Sequence, residues 1–182
     1  CRVVVIGSAA EYGNLLESDI PIKESSPLNP TSIYGLTKMM QTRVCEFYFK
    51  NYGIEVIVAR VFNLMGDNLP ERLFYGNLTN QLNGTRFKES QSLFFGDLSG
   101  VRDYLTIDEA ANKILFLSTH GDPGEVYNIG SGIPVEMREL LYREILKRGY
   151  DLSKVKIFES GAGVGIKKIF ANVEKFNSLT IT

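Results

Sequence analysis

A chain of 182 residues with 44% hydrophobic content is long enough to bury one core and a small second lobe. Its 20 basic and 21 acidic residues leave a net charge of −1, which gives no field to attract nucleic acid or an anionic membrane. The two cysteines make no disulfide framework, and no apolar run has membrane-spanning length or resembles a signal peptide, so we expect a cytoplasmic protein.

The first predicted element is a β-strand over residues 2–8, whose β-branched side chains are typical of a strand covered on both faces. It ends at Ser8, and functional groups gather at the carboxyl ends of parallel strands. After a polar loop with three prolines, a helix is predicted from about Ser32 to Asn51, with Gly53 as its stop. The inward-facing stripe of this helix is predicted to consist of Val44, Phe47 and Tyr48.

Tyr34 and Lys38 lie four residues apart in this helix, so their side chains share one face. An ammonium group near a phenol favours the ionised phenol and brings proton transfer within reach at neutral pH. The same spacing also occurs by chance where a surface lysine packs along a ring, and spacing alone leaves that alternative open.

Two motifs follow one another in the order in which a known protein family carries them. Ser-x-x-x-Tyr-Gly begins at Ser8, and Glu-x-x-Pro-x-x-Pro-x-Ser-x-Tyr-Gly-x-x-Lys spans residues 24–38. Together they resemble the catalytic half of the extended short-chain dehydrogenase/reductase family, the NAD-dependent nucleotide-sugar epimerases, dehydratases and reductases. The resemblance implies a catalytic triad of Ser8, Tyr34 and Lys38 and an NAD or NADP cofactor, with Tyr34 and Lys38 also contacting that cofactor.

The fold that the resemblance implies is α/β, a partial Rossmann-like parallel sheet containing only the last strands, with a smaller α+β substrate lobe. Residues 1–66 are predicted to form the C-terminal part of the dinucleotide-binding domain. Residues 67–182 are predicted to form mainly the substrate lobe, with about 101–120 returning to the Rossmann domain. The glycine cluster at 161–165 lacks the spacing of a dinucleotide fingerprint and is predicted to be a loop.

The glycine-rich turn that opens such domains does not precede the first strand. We therefore expect a parent of roughly three hundred residues, with about a third of it ahead of Cys1. We also expect this chain, taken by itself, to expose strand edges and apolar faces and to bind no dinucleotide measurably.

A second strand is predicted over residues 54–60, followed by Arg-x-x-Asn-x-x-Gly. This segment resembles the family segment that lies between the cofactor and the substrate. The resemblance implies that Val61 contacts the nicotinamide and that Asn63 contacts the sugar diphosphate. An asparagine amide donates and accepts together, which suits a phosphate or sugar oxygen. The structural alternative is that Asn63 only caps the turn.

Residues 101–104, Val-Arg-Asp-Tyr, resemble a further signature in which the arginine clamps the substrate diphosphate. The structural alternative pairs Arg102 with Asp103 or Asp108. Asp108 is predicted to cap a helix through Leu117, and His120 to lie in a loop without the companions of a metal site. Other helices are predicted over residues 70–83 and 135–148.

Reduction of a 4-keto-6-deoxy nucleotide sugar is the activity that the resemblance favours. Related dehydratases carry an acid within two positions after the catalytic serine or threonine, and here those positions hold Ala9 and Ala10. Glu11 is one residue later and is expected to point elsewhere. A nucleotide-sugar 4-epimerase and a non-catalytic binding relative remain alternatives, and the family implies a homodimer formed through the Tyr34 helix.

Overall fold

The structure is a computed structural model that describes residues 1–83, 92–158 and 168–179; the glycine cluster at 161–165 lies outside these ranges. In chain order the elements are β1 (Val3–Ser8), α1 (Ile33–Tyr52), β2 (Val56–Val61), β3 (Asn63–Met65), α2 (Phe74–Asn83), β4 (Leu93–Phe95), β5 (Val101–Arg102), β6 (Tyr104–Thr106), α3 (Ile107–His120), β7 (Val126–Ile129), β8 (Val135–Glu136), α4 (Met137–Lys147), β9 (Val155–Ile157), β10 (Lys168–Ile169) and α5 (Glu174–Ser178).

The main sheet consists of three parallel strands in the order β1-β2-β7. Its register places Ser8 beside Val61 and Val61 beside Ile129, so the three carboxyl ends lie together. One face of the sheet packs against α3 and α5 around Ile57, and the other packs against α1 around Val58. Helices on both faces of a parallel sheet define an α/β fold, and the predicted partial Rossmann-like sheet is confirmed.

The prediction that the first strand is covered on both faces is wrong. Within the described residues β1 pairs with β2 alone, and the side chains of Val3 and Ile6 are each 43% exposed. A β-branched run indicates a strand, but whether its faces are covered depends on elements elsewhere in the chain. Among the described residues β1 also lies at an edge of its sheet, as expected.

Helix α1 begins and ends close to its predicted limits. The Oγ atom of Ser32 accepts a hydrogen bond from the backbone N–H of Gly35 at 3.0 Å and so caps the first turn. Gly53 ends the helix in the left-handed region, at a φ of 64°, where glycine is favoured.

The inward stripe predicted for α1 is wrong, because Val44, Phe47 and Tyr48 are between 46% and 54% exposed. The helix instead faces the sheet with Thr42 and Cys45. Apolar residues lie on two sides of α1, and the periodicity could not show which side the sheet covers.

A second core lies between α2, α4 and the short strands β4 and β9, and it is built on Leu78, Leu93, Leu141 and Ile145. Helix α2 begins at Phe74 rather than at residue 70, because Pro70 heads a turn in which its carbonyl accepts the N–H of Leu73. Helix α4 begins at Met137 because the two preceding residues pair with β5 as strand β8.

Helix α3 differs from its prediction at both ends. Thr106, not Asp108, is the N-cap: its side chain accepts the N–H of Glu109, whose carboxylate accepts the N–H of Thr106 at 2.8 Å. The helix continues past Leu117 to His120, so the histidine lies in the last helical turn and not in a loop.

Replacing Gly53 with alanine is expected to lower the free energy of unfolding by about 1–2 kcal/mol, because an L side chain is disfavoured in the left-handed region. A Cβ atom at Gly53 would meet no atom within 4 Å, so the loss comes from the backbone. Urea unfolding followed by circular dichroism measures it. Gly96→Ala is the matched control, since a Cβ there is equally unobstructed but the backbone is not left-handed. Equal losses in the two variants would contradict the prediction.

Candidate active site

The turn that follows β1 is closed by its own side chains. The Oγ atom of Ser8 accepts the N–H of Ala10 at 3.2 Å, and the Oε1 atom of Glu11 accepts the N–H of Ser8 at 2.9 Å. This reciprocal pair is a capping box on the short 3-10 turn Ala9–Glu11. The backbone that carries the Ser8 hydroxyl is therefore held on two sides.

Glu11 is fully buried, and its second carboxylate oxygen binds two further elements. The Oε2 atom accepts a hydrogen bond from Arg60 Nε on β2 at 2.9 Å and from Thr42 Oγ1 on α1 at 2.8 Å. Arg60 is itself only 3% exposed. A buried ion pair is tolerated where both charges are hydrogen-bonded, as these are.

Arg60 continues the network to β7 through Tyr12. The hydroxyl of Tyr12 accepts from Arg60 Nη1 at 3.2 Å and donates to Asn128 Oδ1 at 2.6 Å. The backbone N–H of Asn128 in turn donates to Glu24 Oε1 at 2.8 Å. Burial raises the pKa of Tyr12 to about 12, although the charge of Arg60 opposes this increase.

The first two turns of α1 lie against the carboxyl end of β1. A Cβ atom on Gly35 would come within 2.4 Å of the carbonyl oxygen of Ala10, so α1 approaches the Ser8 turn closely only because residue 35 is glycine. The Nζ atom of Lys38 donates to the carbonyl of Ile6 at 2.8 Å and to Gln41 Oε1 at 3.1 Å. Tyr34, next to Gly35, is 56% exposed.

The structure thus brings the predicted catalytic residues to one edge of the sheet. Ser8 ends β1, Val61 ends β2 directly beside it, and the helix turns that carry Tyr34 and Lys38 pack onto the same strand end. The contacts of Tyr34, Lys38 and Val61 with a cofactor remain predictions.

The predicted substrate residues form a second group after β2. The side-chain amide of Asn63 donates to the backbone carbonyl of Asp103 at 3.0 Å, so Asn63 joins β3 to the segment that carries Arg102. The guanidinium of Arg102 donates to the carbonyl of Val101 at 2.9 Å. Its pKa is lowered by burial, and a cation with reduced hydration is suited to a bidentate anion contact.

Asp103 was considered above as an ion-pair partner of Arg102, but its carboxylate binds other groups. Its buried carboxylate accepts the N–H groups of Ser131, Gly132 and Ala171 and the hydroxyl of Ser131, at distances of 2.7 to 3.1 Å. These bonds fix the turn after β7 against the Arg102 segment.

Sequence analysis missed the buried network around Glu11, Arg60 and Asn128. An arginine and an asparagine within otherwise apolar strands were the available signal, since buried polar groups need partners. The sequence could not name those partners, because Glu11 and Arg60 are 49 residues apart in the chain.

Within residues 1–83, 92–158 and 168–179, no group of three or more His, Cys, Asp or Glu side chains could hold a metal ion. No helix in those ranges is both long and apolar enough to cross a membrane.

The family model described as "NAD dependent epimerase/dehydratase family" matches residues 1–130. That match covers more than half of the chain, so the protein belongs to this family. The resemblance inferred from the Ser-x-x-x-Tyr-Gly and Tyr-x-x-x-Lys motifs is confirmed at the level of the family.

Curated relatives include a reductase, a dehydratase and an epimerase. The chain is 30% identical over 139 residues to GDP-6-deoxy-D-mannose reductase of Pseudomonas aeruginosa, covering 75% of this chain and 45% of that protein. It is 32% identical over 130 residues to a dTDP-glucose 4,6-dehydratase of Streptomyces antibioticus (71% and 37%). It is 26% identical over 177 residues to a putative UDP-glucose 4-epimerase of Methanocaldococcus jannaschii (97% and 56%). The chain thus spans about half the length of the curated relatives it matches.

Solved structures show the same fold. RMD from Pseudomonas aeruginosa, complexed with NADPH, superposes with a TM-score of 0.86 at 24% identity, over 97% of this chain and 59% of that one. A dTDP-glucose 4,6-dehydratase from Bacillus anthracis, in complex with NAD, gives a TM-score of 0.82 at 26% identity, over 100% and 56%.

The buried phenol of Tyr12 predicts a loss of stability at alkaline pH. Its pKa is raised from 10.0 to about 12, so between these values the unfolded chain releases a proton that the folded chain keeps. The stabilisation is complete below pH 10 and is lost as the pH rises to about 12, at about 1.4 kcal/mol per pH unit. Urea unfolding at several pH values measures the free energy of unfolding. Between pH 10 and about 12 this free energy should fall less steeply in Tyr12→Phe than in the wild type, by the slope that one proton contributes.

Tyr52→Phe is the control for this measurement, because Tyr52 is 66% exposed. Its decline with pH should match that of the wild type. An unchanged slope in Tyr12→Phe would contradict the assignment of this proton to Tyr12.

Proposed function

We propose that this chain is the catalytic and substrate-facing part of an NAD(P)-dependent nucleotide-sugar oxidoreductase that reduces a 4-keto-6-deoxy sugar nucleotide. The observation that carries the proposal is the packing of the Tyr34 and Lys38 turns against the strand end that bears Ser8. Residues 1–66 would then belong to the Rossmann domain and 67–182 mainly to the substrate lobe, with about 101–120 returning to the former.

In the proposed reaction Tyr34 is the general acid. Its phenol donates a proton to the carbonyl oxygen of the sugar, and Ser8 donates a hydrogen bond to the same oxygen. The ammonium group of Lys38 stabilises the tyrosinate that remains. The reduced nicotinamide, when bound, supplies the hydride to the carbonyl carbon.

The strand end suits the nicotinamide end of the cofactor. An ammonium group has three donors, and the bonds to Ile6 and Gln41 account for two of those of Lys38 among the described residues. A third donor can therefore serve the ribose, with Val61 beside the ring. Solved relatives complexed with NADPH and with NAD support either nucleotide.

Asn63 and Arg102 are proposed to bind the substrate diphosphate. Asp103 links them: its carbonyl accepts the Asn63 amide, and its carboxylate anchors the segment beside Arg102. A planar guanidinium can contact two phosphate oxygens at once.

The positions after Ser8 favour reduction over dehydration. Loss of water needs an acid and a base in addition to the triad. Ala9 and Ala10 can supply neither, and Glu11 is fully buried against Ser8, Thr42 and Arg60. The carboxylate that follows the serine is therefore directed away from a substrate.

A nucleotide-sugar 4-epimerase is the alternative, because that reaction needs no residue beyond the triad. The putative epimerase of M. jannaschii matches over 97% of this chain, which supports keeping it. Net consumption of the reduced nucleotide with a 4-keto-6-deoxy sugar nucleotide would favour the reductase. Interconversion of two sugars without net consumption would favour the epimerase.

A homodimer formed through α1 is also proposed. The outer face of this helix carries an apolar stripe, which consists of Leu36, Met40, Val44 and Phe47, all between 43% and 57% exposed. Spacings of three and four residues make these side chains one continuous surface. A second copy of the same helix would cover it symmetrically.

Tyr34→Phe is expected to lower kcat for ketosugar reduction by about 10² to 10⁴, because the variant lacks the donated proton. The assay follows loss of reduced-nicotinamide absorbance in the longest natural polypeptide that contains this chain, with the chain itself as a parallel sample. Tyr52→Phe, at the exposed end of the same helix, should keep wild-type activity. Full activity in Tyr34→Phe would exclude the proposed role.

Val44→Glu should dissociate the proposed dimer, since it places a charge within the apolar stripe. Sedimentation velocity at several protein concentrations measures the change. Arg43→Glu is the control, because Arg43 is the exposed neighbour that pairs with Glu46 and lies beside the stripe. A wild-type chain that stays monomeric at high concentration would contradict the proposal.

A further inference from the structure

Glu11 occupies a position that links all of the elements around the proposed catalytic serine. Its Oε1 atom accepts the N–H of Ser8 at 2.9 Å, and its Oε2 atom accepts from Thr42 and Arg60. One carboxylate thus joins the serine turn to α1, which carries Tyr34 and Lys38, and to the neighbouring strand β2.

The approach of Glu11 to the strand depends on Gly7. A Cβ atom at residue 7 would come within 2.7 Å of Glu11 Oε1 and 3.0 Å of a Val58 methyl group. Because Gly7 has no side chain, the Glu11 carboxylate can lie close against the backbone of β1. The position of Ser8 is therefore restrained by a carboxylate that Thr42 and Arg60 hold in place.

Arg60 is held as firmly as its partner. Its Nη1 atom donates to the hydroxyl of Tyr12 at 3.2 Å and to the carbonyl of Glu24 at 3.3 Å, and its guanidinium lies 4.9 Å from the centre of the Tyr12 ring. Movement of the Arg60 side chain would therefore break its bonds to Glu11, Tyr12 and Glu24.

Stability alone does not account for this pair. Replacing a buried ion pair by apolar residues of similar size is often neutral or stabilising. Apolar side chains could fill the same space, but they could not accept the N–H of Ser8 or the hydroxyl of Thr42. Directional hydrogen bonds fix orientation, and small displacements of a catalytic group lower reaction rates strongly.

We propose that Glu11 is a positioning residue that holds the Ser8 hydroxyl in register with Tyr34 on α1; this role rests on the proposed reductase function. Glu11 exchanges no proton with the substrate. It acts through the backbone of Ser8 on one side and through Thr42 on the other.

Glu11→Gln tests the role with little change in volume. The amide oxygen can still accept the N–H of Ser8, but the amide nitrogen then faces the two donors of Thr42 and Arg60. We expect kcat to fall on the order of 10²-fold, with KM for the sugar nucleotide within about threefold of wild type. In a Ser8→Ala background the same change should lower kcat by less than about threefold, because the group that it positions is already gone.

Glu144→Gln is the matched control. Glu144 is 8% exposed and accepts a hydrogen bond from Tyr75 on α2. Its effect on kcat should be the same with or without Ser8. An equal factor for Glu11→Gln in both backgrounds would overturn the proposal and leave a structural role only.

Thr42→Val supplies a milder variant that keeps the ion pair. It removes one donor to Glu11 and should give a smaller loss of kcat, which again disappears in the Ser8→Ala background. A loss that persists in that background would count against the proposal.

Amide hydrogen exchange on the chain itself gives a readout independent of activity. In Glu11→Gln the amide nitrogen opposes the donors of Thr42 and Arg60, which should displace the side chain and weaken its bond to Ser8. The amides of Ser8 and Ala10 should then exchange faster by roughly tenfold or more, while that of Val58 within β2 stays protected. Unchanged exchange at Ser8, or faster exchange throughout the sheet, would overturn the proposal. If the wild type reduces no ketosugar, the proposed reaction is wrong, and hydrogen exchange still decides whether Glu11 holds Ser8.

Discussion

The ion pair between Glu11 and Arg60, at 2.9 Å, is the interaction on which the arrangement of the site depends. A carboxylate withdrawn from water without a partner costs several kcal/mol, so the turn after β1 can direct Glu11 inward only because Arg60 lies on the adjacent strand. Thr42 then ties α1 to the same carboxylate. The main sheet, the serine turn and the helix that bears Tyr34 are thereby fixed to one another where the proposed chemistry takes place.

Helix α1 serves two surfaces, and this explains its composition. Its first turns meet the strand end through Gly35 and Lys38, and its middle meets the sheet through Cys45. The opposite side carries an exposed apolar stripe that includes Met40 and Val44. A dimer formed there would restrain the same helix that positions Tyr34, so association would support the geometry of the active site.

The alternation of strands and helices, and the limits of α1, could be predicted because their signals are local. Ser32 and Gly53 act within one helical turn of their own positions. The inward face of α1 could not be predicted, because two apolar faces compete and only tertiary packing decides between them. The N-cap of α3 is a different case, because Thr106 followed three residues later by Glu109 fits the local capping-box pattern, which the choice of Asp108 overlooked.

The proposed site likewise has residues that could be predicted from local sequence and contacts that could not. Ser8, Tyr34 and Lys38 could be predicted because the short motifs around them resemble those of the family, whereas the Glu11–Arg60 contact depends on the register Gly7 to Arg60 between two strands. That register also bears on reaction type. Along the turn after Ser8, a shift of a carboxylate by one residue changes its direction. Residue 10 is alanine in this chain, and the carboxylate at residue 11 lies buried against Arg60. The backbone position of this carboxylate therefore makes it an anchor of the serine turn.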